Sequence, residues 1–66
     1  MVTIRGIQYE ILEIKSASEL SKNYPLFVED FTKRGWTHQL LVKRPKGFKK
    51  HLVFYSEKTN QYTLIN

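Results

Sequence analysis

Trp36-Thr37-His38-Gln39-Leu40-Leu41-Val42-Lys43, then Arg44-Pro45-Lys46-Gly47-Phe48, then Lys49-Lys50-His51-Leu52-Val53-Phe54-Tyr55 is the stretch that decides the fold. Either side of the Pro/Gly break the residues alternate with a period of two, the pattern of two strands joined by a turn. Trp36, His38, Leu40 and Val42 fall on one face, Thr37, Gln39, Leu41 and Lys43 on the other. Lys50, Leu52 and Phe54 alternate in the same way with His51, Val53 and Tyr55. A second turn, Ser56-Glu57-Lys58-Thr59-Asn60, leads into a last strand, Gln61 to Ile65. The C-terminal half is therefore a meander of three strands.

Immediately upstream the period is helical. Ser16-Ala17-Ser18-Glu19 is a capping box, in which the serine hydroxyl caps the Glu19 amide and Glu19 reaches back. Pro25 lacks an amide hydrogen and disfavours helical geometry at Tyr24, so the spacing predicts a short helix, a break at Asn23-Tyr24 and a second helix from Pro25 to about Lys33. Phe27 and Phe31, four apart, are expected to face the sheet with Leu26, while Glu29, Lys33 and Arg34 point to water. Gly35 is placed to end the helix in the left-handed conformation.

Further out, Val2 to Lys15 reads as two strands bent at Gly6. A helical stripe Ile7/Ile11/Ile14 competes, but the β-branched residues and Gly6 favour strands. Strict alternation puts Tyr9, Ile11 and Glu13 on one face of the second strand and Glu10, Leu12 and Ile14 on the other, a half-apolar pattern that suits a central strand. The expected class is α+β in the order β-β-α-β-β-β: a mostly antiparallel sheet of about five strands, with one helical segment (16–34, broken near Pro25) packed on one face.

Sixty-six residues make a single domain, 1–66, that buries only about 60% of its unfolded surface. The chain has no cysteine, so neither a disulfide nor a thiolate metal site supports so small a core. Nine aromatic residues, each able to bury roughly 150–250 Å², offer the alternative. Self-association into a homodimer would offer another. Met1 to Gly6 contains no apolar run suited to a signal peptide or membrane span, which predicts a cytoplasmic protein with no membrane partner.

Charge is distributed unevenly. Residues 1–32 carry three Lys/Arg against five carboxylates, while residues 33–66 carry eight against Glu57 alone. Such asymmetry points to an anionic partner facing the second half: nucleic acid, DNA or RNA, or an acidic protein surface. The main candidate is the hairpin Lys43-Arg44-Pro45-Lys46-Gly47-Phe48-Lys49-Lys50, where five of eight residues are cationic around an aromatic. Lys43, Arg44, Lys46, Lys49 and Lys50 would neutralise phosphates and Phe48 would stack on a base, with Lys33 and Arg34 extending the patch from the helix end. Contacts to phosphates would be largely indifferent to sequence. Lysines at strand ends also serve simply to keep β-proteins soluble. Tyr55 and Tyr62, on adjacent strands, are expected to pair, as half-buried core residues or as a stacking platform with His51.

Little points to catalysis. His38 and His51 offer the general base and acid of a small metal-independent ribonuclease, yet His38 sits among apolar residues and His51 among lysines. The helix leading to Phe31, Gly35 and Trp36 and then a strand distantly resembles the HicA-like ribonuclease toxins. That resemblance covers a short stretch, and Leu40-Leu41-Val42-Lys43 stands where their Gly-Ser-His-His element belongs, so no family is assigned. Glu10 and Glu13 fall on opposite faces under strict alternation, and Glu29 and Asp30 suit an early helical turn. No phosphate-cradling glycine loop or metal-ligand cluster is present, and no metal or cofactor is expected. The reading is a non-catalytic nucleic-acid-binding module. Its rival is a protein-interaction module, a small adaptor, regulator or inhibitor that docks an acidic partner or pairs an edge strand.

Overall fold

Residues 1–65 are described by the computed structural model, with β1 (Val2–Ile4), β2 (Ile7–Ser16), α1 (Ala17–Ser21), α2 (Pro25–Lys33), β3 (His38–Lys43), β4 (Lys50–Ser56) and β5 (Gln61–Leu64) in chain order. The strands form one antiparallel sheet in the order β1-β2-β3-β4-β5, and β1 comes round against β5 so that the sheet nearly closes. This is the expected α+β class. The two helices lie within the β2–β3 connection.

Local signals act where the sequence puts them. The capping box forms in both directions: Glu19 N donates to Ser16 Oγ, and Ser16 N donates to Glu19 Oε1, each at 3.3 Å. Pro25 opens α2 after the break. The end of α2 is a Schellman motif, with Gly35 N donating to Thr32 O at 3.0 Å and Trp36 N to Phe31 O at 3.2 Å. Gly35 holds the left-handed φ of 93° that the motif requires.

That motif corrects one expectation. Alternation puts Trp36 beside His38, but Trp36 is still inside the helix-ending turn, and β3 begins only at His38. Its ring lies 6.1 Å from Phe54, on the helix-covered face. Phe54 is the centre of that face, with Phe31 edge-on at 4.9 Å and Phe27 at 5.9 Å. Phe31, 2% exposed, contributes about 1.5–3 kcal/mol through burial alone. Leu26 does not join it and is 82% exposed. At about 100° per residue it stands roughly 140° round the helix from Phe31, whereas Val28 stands within about 60° and is buried instead.

The opposite face curls on itself. Val2, Ile4, Tyr9, Leu40, Val42 and Val53 form the buried cluster there, with Tyr55, Tyr62 and Leu64 packed against it. A bulge in β2 sets which residues of that strand take part. Ile11 pairs with Val42 and Glu13 with Leu41, so Leu12 is an extra residue in the ladder. Alternation inverts after it. Ile11 and Ile14 therefore share the curled face, while Glu10 and Glu13 share the helix-side face, the reverse of the strict-alternation reading.

Candidate nucleic-acid interface

The β3–β4 hairpin is built from its turn outward. Gly47 N donates to Arg44 O at 2.9 Å, closing Arg44-Pro45-Lys46-Gly47 with proline at the second position and glycine at the fourth, the preferences of a type I turn. A Cβ on Gly47 would meet the Arg44 Cβ at 3.3 Å, so the turn is tight as well as short. At the hairpin base Lys43 sits directly opposite Lys50, a like-charge pair that opposes pairing. Glu10 relieves it, its Oε2 lying 2.8 Å from Lys43 Nζ. The same ammonium donates to the carbonyls of Arg44 and Pro45, each at 3.3 Å. Lys43 thus staples the turn.

Beyond Lys43 the hairpin is open. Arg44, Lys46, Lys49 and Lys50 are exposed, and among the described residues no carboxylate pairs with any of them. Phe48 is 98% exposed, its ring standing between these cations and contributing almost nothing to the core. Arg44, Gly47, Phe48, Lys49 and His51 line a shallow hollow on one side of the tip.

Lys33 and Arg34 belong elsewhere. They precede the start of β3, and the hairpin follows its end, so the strand length of about 17 Å separates the two groups. Each also has an acid one turn back on α2: Lys33 Nζ lies 4.0 Å from Glu29, and Arg34 Nε 2.9 Å from Asp30. The structure does not bring these two cations to the hairpin. It brings Arg5 instead. Glu10 pairs with Lys43, and the Ile7 end of β2 runs on past that pair, so the β1–β2 turn and the basic turn share one end of the sheet. Arg5 and Gly6 form that turn with φ of 52° and 80°, as in the type I′ turns of two-residue hairpins. In the sequence Arg5 is an isolated cation, and only strand register reveals its neighbours.

The remaining candidates fall into place on the curled face. Tyr55 and Tyr62 stack at 4.5 Å, half-buried beside the core cluster, and the Tyr55 hydroxyl donates to Asn60 Oδ1 at 3.1 Å. His51 lies edge-on to Tyr9 at 5.8 Å. His38 Nδ1 shares a 2.9 Å hydrogen bond with the Thr37 hydroxyl. His38 is opposite Tyr55 and His51 opposite Val42, so four positions of β3, about 13 Å, separate the two histidines. They do not converge on one reacting group. No group of three metal-ligating side chains gathers, and no helix is long and apolar enough to cross a membrane, among the described residues.

Comparison with protein-family models, with characterised proteins and with solved structures finds no match for this chain.

Proposed function

We propose that this protein is a small non-catalytic nucleic-acid-binding module whose contact element is the tip of the β3–β4 hairpin. Arg44, Lys46, Lys49 and Lys50 meet phosphate oxygens, Arg5 adds a contact from the neighbouring turn, and Phe48 stacks on an unpaired base. One observation carries the reading. A phenylalanine held 98% exposed at a turn, among cations with no acidic partner among the described residues, has both components of a single-strand contact and no role in the core. Lys43 is not a phosphate ligand in this scheme. Its ammonium holds the turn in shape through Glu10 and two backbone carbonyls.

Salt dependence of oligonucleotide binding is the test. Four to five phosphate contacts give log K against log [salt] a slope of roughly −3 to −3.5 on a single strand. Binding that ignores salt, or a chain that ignores generic oligonucleotides at low salt, removes the proposal and leaves an acidic protein partner or a simple solubilising loop as the readings of the tip.

A further inference from the structure

The hollow at the hairpin tip is defined by what its walls can offer a ligand. Arg44, Gly47, Phe48, Lys49 and His51 border about 320 Å³ there, near the lower end of small-molecule sites. The Arg44 and Lys49 side chains only donate hydrogen bonds, and Gly47 and Phe48 bring no polar side-chain atom. Only the His51 ring can also accept, through a single nitrogen, so donors dominate the walls. The turn's own carbonyls are already engaged. Arg44 O accepts from Gly47 N at 2.9 Å and from Lys43 Nζ at 3.3 Å, and Pro45 O accepts from the same ammonium. One wall is fixed, because the His51 ring lies edge-on to Tyr9 at 5.8 Å. The hollow beside Trp36 also sets aromatic rings near an arginine, but Asp30 holds Arg34 there at 2.9 Å. No carboxylate pairs with Arg44 among the described residues.

We infer that the tip hollow seats one unpaired guanine, stacked on Phe48, with the Arg44 guanidinium donating to guanine O6 and N7. The inference rests on the nucleic-acid reading of the tip and names the base it prefers. A wall of donors calls for a base edge made of acceptors. Guanine presents two side by side, whereas adenine and cytosine each carry an amino donor on that edge, and thymine sets a single carbonyl beside a methyl group. Arginine matches the guanine pair with two parallel N–H groups, which a lysine ammonium cannot do.

The turn brings the two recognition groups together. Closing Arg44 on Gly47 holds their backbones within about 7 Å, and Phe48 follows at once, so guanidinium and ring rise from neighbouring positions. Lys46 and Lys50 do not line the hollow. With Lys49 and Arg5 they keep the phosphates, and so the salt dependence, while Arg44 reads the base.

Fluorescence anisotropy with short thymidine strands that carry one central guanine, adenine or 7-deazaguanine tests it; a single guanine per strand prevents quadruplex formation. The guanine strand is expected to bind roughly 5- to 100-fold more tightly than the adenine strand at about 0.1 M salt, with the same salt slope on both. The 7-deazaguanine strand, with a C–H in place of N7, should lose most of that gain. Arg44→Lys, with near-UV dichroism unchanged, keeps the positive charge and should bind all three strands alike, its salt slope within about 0.7 of the original. Equal affinity for guanine and adenine strands under steep salt dependence overturns the guanine seat and leaves the phosphate reading standing. A guanine preference that survives Arg44→Lys or 7-deazaguanine overturns the contact assigned to Arg44. Failure to bind any strand at low salt removes the nucleic-acid reading, and the guanine seat with it.

Discussion

The helix-covered face and the β3–β4 tip both set phenylalanine beside positive charge, and the fold uses the combination in opposite ways. On the covered face Phe31 is 2% exposed and the neighbouring cations Lys33 and Arg34 are matched by Glu29 and Asp30. At the tip Phe48 is 98% exposed and the cations beyond Lys43 meet no acid among the described residues. Composition does not separate the two regions. What separates them is whether the backbone supplies a partner: a helix places acids one turn before its terminal cations, while a four-residue turn has no preceding turn.

The largest effect expected from this contrast is on stability. Phe31→Ala removes the ring that meets Phe54 at 4.9 Å and should cost about 3–5 kcal/mol, whereas Phe48→Ala should change the unfolding free energy by less than about 0.5 kcal/mol. Equal losses in urea titrations of the two variants would show that Phe48 packs somewhere in solution and would end the contrast.

Charge replacement gives the next largest effect, about two orders of magnitude in affinity. Lys46→Ala with Lys49→Ala and Lys50→Ala should weaken oligonucleotide binding roughly 100-fold near 0.1 M salt and reduce the magnitude of the salt slope by about 2. Lys33→Ala with Arg34→Ala, which removes cations already matched on α2, should leave the slope within about 0.5 of its starting value. If the helix pair proves the more damaging, the contact surface lies at the other end of β3. Stacking comes third: Phe48→Ala should lower affinity for single strands by about 1–3 kcal/mol while leaving the salt slope unchanged, as fluorescence titration would record.

These contrasts also show which parts of the molecule can be read from residue order. Ser16, Glu19, Pro25 and Gly35 act on backbone atoms a few residues away, so cap, break and terminus appear where local chemistry puts them. The meander from His38 is similarly local, because alternation and a Pro/Gly turn determine it. The bulge at Leu12 has no such mark. It lies past the residues of β2 that pair with β1, within the stretch that pairs with β3, and it reverses the faces of every β2 residue after it. Pairing of Lys43 with Glu10, release of Lys33 and Arg34 from the patch and recruitment of Arg5 all follow from register, a property of two segments far apart in sequence. Charge counting locates a basic half; only register says which cations stand together.

Capping provides a smaller test of how local chemistry supports the covered face. Ser16→Ala removes the hydroxyl that accepts from Glu19 N and should cost about 1 kcal/mol in thermal unfolding, without altering the salt slope of oligonucleotide binding. A change in slope would mean that α1 and the tip are coupled, contrary to their separation at opposite ends of the sheet.

Arg5 gives the smallest effect and the sharpest one, because stability and binding should move in opposite directions. Its φ of 52° lies in the left-handed region, where a long side chain is disfavoured and asparagine is well accommodated. Arg5→Asn should therefore stabilise the fold by a few tenths of a kcal/mol, and Arg5→Ala should not. An ordinary surface arginine at this position would be replaceable without loss of function. An arginine kept in a strained turn beside the basic tip is expected to contribute one phosphate contact, so Arg5→Asn should make the salt slope about 0.7 units shallower while the melting temperature rises. A variant that melts higher and binds with the original slope would remove Arg5 from the interface and confine the contact to the β3–β4 turn.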